Sequence, residues 1–445
     1  MSGGEKVFNV WLLLVIEIVL LYIAYYLNGK DFLSPCVVTL VVFILSTLCI
    51  IYNHEYWAVS YKLYTTFVIS LGLITAVFAD YVQLYFVRRN QKYSNNIHYE
   101  IEPVVIHQII NCLSCLFLTV CLLIFFRKIM ELGTRIGVSG FLSIGAVKDS
   151  SEVSIQGIPL VCYDLNILGS FIYIYILCNN IISGVKIKKC LIYIYPVLLG
   201  VLAGILRGNR GALIQIVIGI IVEFVILYRW KNGIKSINTK VFIKKSIPIF
   251  ATFSIIFYFL REIVKGRSVT STFINYFTYY LGSPLFLFDK YLQNPLSVYS
   301  STDYFGGTTF ANLYAYLYSK GIVSKPVGIL NYTNVVPGTT SAGNEYSFFM
   351  RPYHDFGIAG MLIFTFLFFS VFSHFYYKLR NIQDYSKRKG FRLIVFSYFY
   401  FMVFMTFYYS FTAQEFRPQT VVLMAALYIA YFLLIKKRIV FGRGR

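Results

Sequence analysis

Two arginines occupy a short polar break near the middle of the chain. Arg207 and Arg210 belong to the sequence Arg-Gly-Asn-Arg-Gly, which separates the apolar runs 191–206 and 212–228. Residues three apart project from one face of a helix, so a helix that starts here would present both guanidinium groups together. Paired guanidinium groups match the oxygens of a phosphate or pyrophosphate. We therefore predict an anion site at this break; the alternative is that both arginines anchor to lipid headgroups.

A second group of ionisable side chains stands just before the apolar run 358–373. Arg351, His354 and Asp355 are spaced i, i+3 and i+4, and Glu345 lies shortly upstream. The spacing puts three of them on one helix face, near a helix N-terminus that favours an anion. We predict that Arg351 binds phosphate and that His354 is a general base or orients an acceptor group. Asp355 would orient the imidazole or be the base itself, and Glu345 is a further reserve base. The alternatives are an ordinary interface histidine and an aspartate that caps the helix.

Further cations follow the eighth apolar run. Arg261 and Arg267 either bind more phosphate or compensate anionic lipid headgroups. Metal and nucleotide motifs such as H-E-x-x-H and G-x-x-x-x-G-K-[ST] do not occur in the chain. We therefore predict neither a metal ion nor a cofactor.

The composition indicates the environment in which these residues act. Of the 445 residues 58% are hydrophobic and 13% are charged, and the mean hydropathy is +0.67. A soluble domain cannot bury so much apolar surface. The formal net charge is +21, but the lysines and arginines cluster between apolar runs, where they act as topology signals. This placement argues against a nucleic-acid partner.

Apolar runs of membrane-spanning length recur along the whole chain. We predict spans near 8–27, 34–52, 63–87, 104–126, 158–182, 191–206, 212–228, 246–260, 357–377, 393–411 and 419–435. A helix needs ~20 residues to cross the hydrocarbon core, and lipid requires a backbone that satisfies its own hydrogen bonds. The expected fold is an all-α polytopic membrane protein of about 11 helices (10–12), forming one membrane domain over residues 1–445.

The short breaks between these runs indicate their orientation. Four segments are rich in lysine and arginine and are expected to be cytoplasmic, namely 183–190, 229–245, 378–392 and 436–445. The break at 207–211 and the long loop 261–356 then face outward. Eleven spans place the N-terminus outside, whereas one more span within 127–157 would place it inside. The sequence leaves this choice open.

The outward loop 261–356 is rich in tyrosine and phenylalanine. Its segments 273–288 and 310–318 are predicted to form helices on the bilayer surface, with aromatic side chains at the headgroup level. An ordered loop of this length suggests a functional cap. Aromatic rings also stack on the faces of sugars, so a glycan suits this cap as well as a membrane interface does.

Three segments carry a resemblance to a known family. They are Arg207–Gly211 (RGNRG), Tyr279–Phe288 (YYLGSPLFLF) and Tyr353–Gly360 (YHDFGIAG). Together with the layout of spans and the outward loop, they resemble the Wzy-type oligosaccharide repeat-unit polymerases, the O-antigen and capsule polymerases of bacteria. The resemblance implies a multi-pass protein of the bacterial inner membrane that acts at its outer face. It also implies a helix bundle like that of the C-type glycosyltransferases.

The activity implied by this resemblance is a glycosyl transfer without a metal ion, and with inversion at the sugar. A growing glycan would pass from undecaprenyl pyrophosphate to the sugar of a new lipid-linked repeat unit. The implied partners are undecaprenyl-pyrophosphate-linked oligosaccharides, membrane lipids, a chain-length regulator and a flippase. O-antigen ligases share the layout, the arginines and a late histidine, so a ligase is the alternative enzyme. A polysaccharide flippase or transporter is the non-enzyme alternative.

Overall fold

The architecture comes from a computed structural model of the chain. It describes residues 3–90, 100–140, 142–149, 153, 155–208, 210–233, 244, 255, 258–259, 272–299, 304–326, 330–339, 342–380 and 387–436.

The described residues are predominantly helical. In chain order the α-helices are α1 (Gly3–Leu27), α2 (Pro35–Tyr52), α3 (Leu63–Asn90), α4 (Gln108–Arg135), α5 (Leu142–Asp149), α6 (Ile158–Ser183), α7 (Ile187–Cys190), α8 (Ile194–Leu206), α9 (Arg210–Asn232), α10 (Phe273–Gln293), α11 (Ala311–Ser319), α12 (Met350–Arg380), α13 (Lys387–Phe404), α14 (Thr412–Glu415) and α15 (Pro418–Tyr431).

Short irregular elements complete the described chain. The 3-10 turns are Leu191–Tyr193, Pro295–Ser297 and Met405–Phe407, and a π-helical turn covers Phe432–Lys436. Strands β1 (Val298–Tyr299) and β2 (Asn331–Tyr332) pair antiparallel, with Val298 opposite Tyr332.

Ten helical segments of the described chain are long and apolar enough to cross a membrane. They are Val7–Leu27, Pro35–Tyr52, Leu63–Arg89, Gln108–Arg135, Ile158–Ser183, Ile187–Leu206, Gly211–Asn232, Met350–Arg380, Gly390–Phe407 and Pro418–Lys436. The chain is thus an all-α, multi-pass membrane protein, as predicted. The predicted span 246–260 lies almost entirely outside the described residues.

The fourth span differs in extent from its prediction, which ran from 104 to 126. Val104 is not helical, because its N–H and C=O are hydrogen-bonded to the side chain of Asn180 at 2.7 and 2.9 Å. The helix continues beyond 126 because Glu131 accepts hydrogen bonds from Lys128 at 2.9 Å and from Arg135 at 2.6 Å. Ion pairs at these helical spacings stabilise an exposed, charged last turn.

The chain packs into two compact units. Unit 1 comprises Met1–Lys92, Ser271–Lys378 and Met402–Thr420, and unit 2 comprises Tyr93–Thr270, Leu379–Phe401 and Val421–Arg445. Acidic residues inside the apolar helices are buried in the unit that contains them. Glu17 accepts a hydrogen bond from Thr47 at 3.0 Å in unit 1, and Glu223 accepts one from Ser397 at 2.6 Å in unit 2.

The two ends of unit 1 can be distinguished by their hydrogen bonds. At one end Asn9 of α1 bonds to the backbone of Tyr61 at 2.9 Å, and the hydroxyl of Tyr64 lies 2.8 Å from that of Tyr353 in α12. At the other end Asp80 accepts a hydrogen bond from Tyr377, late in α12, at 2.6 Å. The start of α1 therefore lies at the same end of unit 1 as the start of α12.

Helix α10 belongs to the core of unit 1. Residues 285–288 are at most 1% exposed, and the hydroxyl of Ser46 in α2 donates to the carbonyl of Leu281 at 2.7 Å. Both predicted loop helices are present, but the second half of α10 is buried against protein, whereas α11 buries none of its residues. The position of α11 relative to a bilayer stays a prediction.

A buried carboxylate fixes the C-terminal half of α10. Asp289 accepts hydrogen bonds from the hydroxyl of Thr65 at 2.7 Å and from the backbone N–H of Lys62 at 3.1 Å. Burial raises the pKa of Asp289 above its usual value, and these hydrogen bonds only partly offset the rise. The carboxylate therefore joins α10 to the start of α3.

Candidate functional site

The predicted catalytic segment opens helix α12. The helix begins at Met350, so Arg351, His354 and Asp355 occupy its first two turns and Pro352 its first turn, where a missing N–H costs no hydrogen bond. Their predicted helical spacing is confirmed. The helix breaks at Gly357, which has φ 66° and ψ −166°. This backbone conformation is essentially restricted to glycine, so the site turns stand apart from the membrane-spanning part of α12.

Both oxygens of Asp355 are hydrogen-bonded to one turn of the segment that precedes α12. Its Oδ1 accepts from the N–H and hydroxyl of Thr308 at 3.3 and 2.9 Å. Its Oδ2 accepts from the N–H and hydroxyl of Thr309 at 2.7 and 2.6 Å. A carboxylate has about four lone-pair positions, and these four donors occupy them. The arrangement favours a structural role for Asp355 over the role of a base.

Arg351 is a buried cation in the same cluster. Its side chain is 9% exposed, and Nη1 donates to the carbonyl of Thr308 at 2.6 Å. The guanidinium carbon lies 4.8 Å from the ring centroid of Tyr409, a cation–π distance. Among the described residues, Nε of Arg351 has no hydrogen-bond partner. A buried charged donor without a partner is costly, so Arg351 has unused capacity to bind an anion.

Tyrosines and Glu345 surround this arginine. Burial raises the pKa of Tyr332 and of Tyr409 above the usual value for a phenol. In both cases the nearby charge of Arg351 opposes the rise, and the charge of Glu345 adds to it. Glu345, itself partly buried, therefore lies close enough to the same two phenols to act on them electrostatically. The predicted residues Arg351 and Glu345 thus share one tyrosine-lined environment.

His354 is partly buried and contacts a second group of tyrosines. Its Nδ1 lies 3.0 Å from the hydroxyl of Tyr291 in α10. The ring of Tyr291 packs edge-on against Tyr353 at 6.2 Å and Tyr346 at 6.5 Å, and Tyr346 stacks on Tyr332 at 5.1 Å. A continuous series of aromatic rings therefore runs from the histidine to the tyrosines around Arg351.

Backbone contacts hold the segment that precedes α12. The N–H of Ser347 donates to the carbonyl of Tyr408 at 3.1 Å, and that of Phe348 donates to the carbonyl of Thr406 at 2.8 Å. Ser347 has φ +64°, a strained conformation for a residue other than glycine. These contacts attach the segment to the turn after α13 and bring Tyr409 beside the first turn of α12.

The other predicted arginines lie in unit 2. Arg207 is the C-terminal cap residue of α8, and its guanidinium carbon lies 4.4 Å from the ring centroid of Tyr163. Helix α9 begins at Arg210, whose side chain lies outside the described residues. The two arginines are expected to share a helical face if the second helix starts at Arg207, and this condition is not met, because α9 starts only at Arg210 and Gly208 between them adopts φ +65°. Their role in binding an anion stays a prediction.

Arg261 and Arg267 also lie outside the described residues. Within the described part of the chain, histidine, cysteine, aspartate and glutamate do not gather in groups of three or more that could hold a metal ion.

Several residues of this cluster were missed by sequence reasoning. They are Tyr291, Thr308, Thr309, Tyr332 and Tyr409. For Tyr291 and Tyr332 the high tyrosine content of the 261–356 loop was the available signal, and it marks a region rather than a residue. Thr308 and Thr309 lie more than 40 positions from Asp355, and no periodicity connects them.

No protein-family model matches the sequence, and neither a curated protein nor a solved structure is significantly similar to it.

Proposed function

We propose that this chain is a repeat-unit polymerase of the bacterial inner membrane. It would join undecaprenyl-pyrophosphate-linked oligosaccharides into O-antigen or capsular polysaccharide at the outer face of that membrane. The support comes from the multi-pass fold and from the cluster at the start of α12, which combines a buried cation, a partly buried histidine and many aromatic rings.

The proposal depends chiefly on the burial of Arg351 and on its Nε, which has no hydrogen-bond partner among the described residues. The residue is 9% exposed, and its Nε is buried. A preorganised donor of this kind stabilises negative charge as it develops, and one such donor contributes about 3 kcal/mol in comparable oxyanion sites. A departing pyrophosphate gains negative charge as its bond to the sugar breaks, so a donor of this kind would stabilise it.

The proposed reaction forms one bond and breaks one. The bond between the anomeric carbon and the pyrophosphate oxygen breaks, and its electron pair stays on that oxygen. The hydroxyl oxygen of the acceptor sugar bonds to the anomeric carbon, and its proton passes to a base. Glu345 and His354 are the candidate bases of the cluster, since the carboxylate of Asp355 is occupied by four donors.

The aromatic rings suit the rest of the substrate. The rings of Tyr332, Tyr346 and Tyr291 form a connected series that runs between Arg351 and His354. Aromatic faces pack against the C–H groups of sugars, so a series of rings can hold successive sugars of a chain. Whether Arg207, Arg210, Arg261 and Arg267 also bind phosphate stays a prediction.

Reconstitution tests this function directly. Purified protein in liposomes is supplied with one synthetic undecaprenyl-pyrophosphate-linked repeat unit, and the glycan products are separated by size. We expect a ladder of products and the release of undecaprenyl pyrophosphate. A single transfer to a lipid A core oligosaccharide without a ladder would indicate a ligase. Movement of the lipid-linked unit across the bilayer without bond formation would indicate a transporter; either result overturns the proposal.

A further inference from the structure

The contact between Tyr291 and His354 determines which nitrogen of the imidazole carries the proton. The phenol oxygen and Nδ1 are 3.0 Å apart, a hydrogen-bond distance. Two arrangements fit this distance. Either the hydroxyl donates to an unprotonated Nδ1, or Nδ1–H donates to the hydroxyl oxygen. In the first arrangement the ring proton is on Nε2, and in the second Nε2 is free to act as a base.

Burial of the Tyr291 phenol decides between these two hydrogen-bond arrangements. Tyr291 is 2% exposed, and His354 is the hydrogen-bond partner of its hydroxyl among the described residues. Burial raises the pKa of Tyr291, so the phenol keeps its proton and must donate it. If Nδ1–H were the donor, the buried O–H would have no acceptor, and an unpaired buried donor is unfavourable.

The carboxylate of Asp355 does not offer an alternative acceptor for the hydroxyl of Tyr291. Asp355 is close enough to act electrostatically on Tyr291. However, its two oxygens already accept from the N–H and hydroxyl groups of Thr308 and Thr309. The hydroxyl of Tyr291 therefore donates to Nδ1, and Nδ1 must carry a lone pair to accept it.

We infer that Tyr291 is a positioning residue that holds His354 as the neutral Nε2–H tautomer, so that His354 donates a hydrogen bond to a phosphate oxygen of the lipid-linked substrate. This inference rests on the proposed function and refines it. His354 then joins Arg351 in stabilising the leaving group, and it is not the base.

The proton of the acceptor hydroxyl consequently has another destination. Glu345 is partly buried in the same tyrosine-lined environment, and a carboxylate can accept this proton. As the acceptor oxygen bonds to the anomeric carbon, the hydroxyl proton moves to the carboxylate of Glu345. The electron pair of the broken C–O bond stays on the pyrophosphate, where Arg351 and His354 face the new charge.

The first test is spectroscopic and does not require catalysis. The chain contains five histidines, and ¹⁵N-histidine labelling in liposomes resolves the tautomer of each by solid-state NMR. The His354 signals are those that disappear in His354→Gln. We expect Nε2–H in the wild type and a mixture of tautomers in Tyr291→Phe. Nδ1–H in the wild type, or an unchanged tautomer in Tyr291→Phe, would overturn the inference whether or not the protein polymerises glycans.

The second test compares two substitutions of the histidine in the reconstituted reaction. The side-chain amide of glutamine can place an N–H close to the position of Nε2–H, but it is not a base. His354→Gln should therefore keep transfer within about 10-fold of wild type, while His354→Ala should lose ~100-fold or more, the usual effect of removing such a donor. Equal, large losses in both variants, with normal folding, would identify His354 as the base instead. Absence of transfer by the wild type would overturn the proposed function, and the spectroscopic result would still stand.

Discussion

Thr309 donates two hydrogen bonds to one oxygen of Asp355, from its N–H at 2.7 Å and from its hydroxyl at 2.6 Å. Thr309 is fully buried, and hydrogen bonds to a charged group are stronger than those between neutral groups. This pair, with the equivalent bonds of Thr308, attaches a turn of the 261–356 loop to the second turn of α12. The loop therefore fixes the start of the helix that carries Arg351 and His354.

The hydroxyl of Thr309 can be removed with little change of shape. Thr309→Val should lower the free energy of unfolding by about 1.5–3 kcal/mol, since one donor to a buried carboxylate is lost. It should also reduce the rate of transfer, because the start of α12 is less firmly held. Thermal unfolding in detergent and the reconstituted reaction measure the two effects.

Thr134→Val is the matched control for this substitution. The hydroxyl of Thr134 donates at 3.0 Å to the carbonyl of Met130, in the preceding turn of the exposed end of α4. Its loss should change stability by less than about 0.5 kcal/mol, the usual range for surface positions. Equal effects of the two variants would contradict the special role of the contact with Asp355.

The break in α12 gives a second prediction. An added Cβ at Gly357 would meet no atom within 4 Å, so Gly357→Ala acts through backbone strain rather than a clash. We expect a loss of about 1–3 kcal/mol of stability, together with a fall in activity, since the turns with Arg351 and His354 lose their angle to the span.

Gly184→Ala is the control that separates the general effect of backbone strain from the effect of strain beside the candidate site. Gly184 caps α6 with φ 96°, and an added Cβ there also has open space. This variant should lose stability and keep its specific activity. If Gly357→Ala retains full activity as well, the break in α12 does not position the site.

The carboxylate of Asp289 should make the stability of the folded protein depend on pH. Burial raises its pKa above the usual 3.8. The folded protein then binds more protons than the unfolded chain between the two pKa values, so this group lowers stability as pH rises through that interval. The melting temperature of the wild type minus that of Asp289→Asn should fall as pH rises from about 4 and then level off. A difference that grows with pH would contradict the direction of the shift.

The ends of unit 1 give a topological prediction. Glu55 and Leu296 have strongly exposed side chains near the start of α12, whereas Lys30 is exposed at the opposite end. Cysteines introduced at Glu55 and Leu296 should react with a membrane-impermeant maleimide in intact spheroplasts. A cysteine at Lys30 should react only after lysis. The reverse pattern would place the candidate site in the cytoplasm.

The membrane spans could be predicted because each depends on local composition. A run of ~20 apolar residues must form a helix in lipid wherever it stands in the chain. The ends of the helices depend on contacts that composition does not show. Asn180 keeps Val104 out of α4, and the pairs of Glu131 extend α4 to Arg135.

The candidate site could be predicted only where its residues are close in sequence. The spacing of Arg351, His354 and Asp355 indicated a shared helix, and they share one. Their partners come from distant segments. The contact of Tyr291 with His354 joins residues 63 positions apart. One tyrosine in a loop of many gives no signal of such a contact, so the tautomer of the histidine follows only from the structure.

The central claim is that Arg351 stabilises the departing pyrophosphate. Lysine would keep the charge at this position but would lose the planar fork and the stacking on Tyr409. Arg351→Lys should therefore retain a small part of the activity, and Arg351→Gln should lose at least ~100-fold. Arg135→Gln is the control, because Arg135 is exposed at the end of α4.

The most direct measurement is the rate of transfer from a saturating lipid-linked donor by these four proteins in liposomes, with folding verified by thermal unfolding. We predict that wild type and Arg135→Gln react at equal rates, that Arg351→Lys is slower, and that Arg351→Gln is slower by ~100-fold or more. A folded Arg351→Gln protein that transfers glycan within threefold of the wild-type rate would contradict the claim.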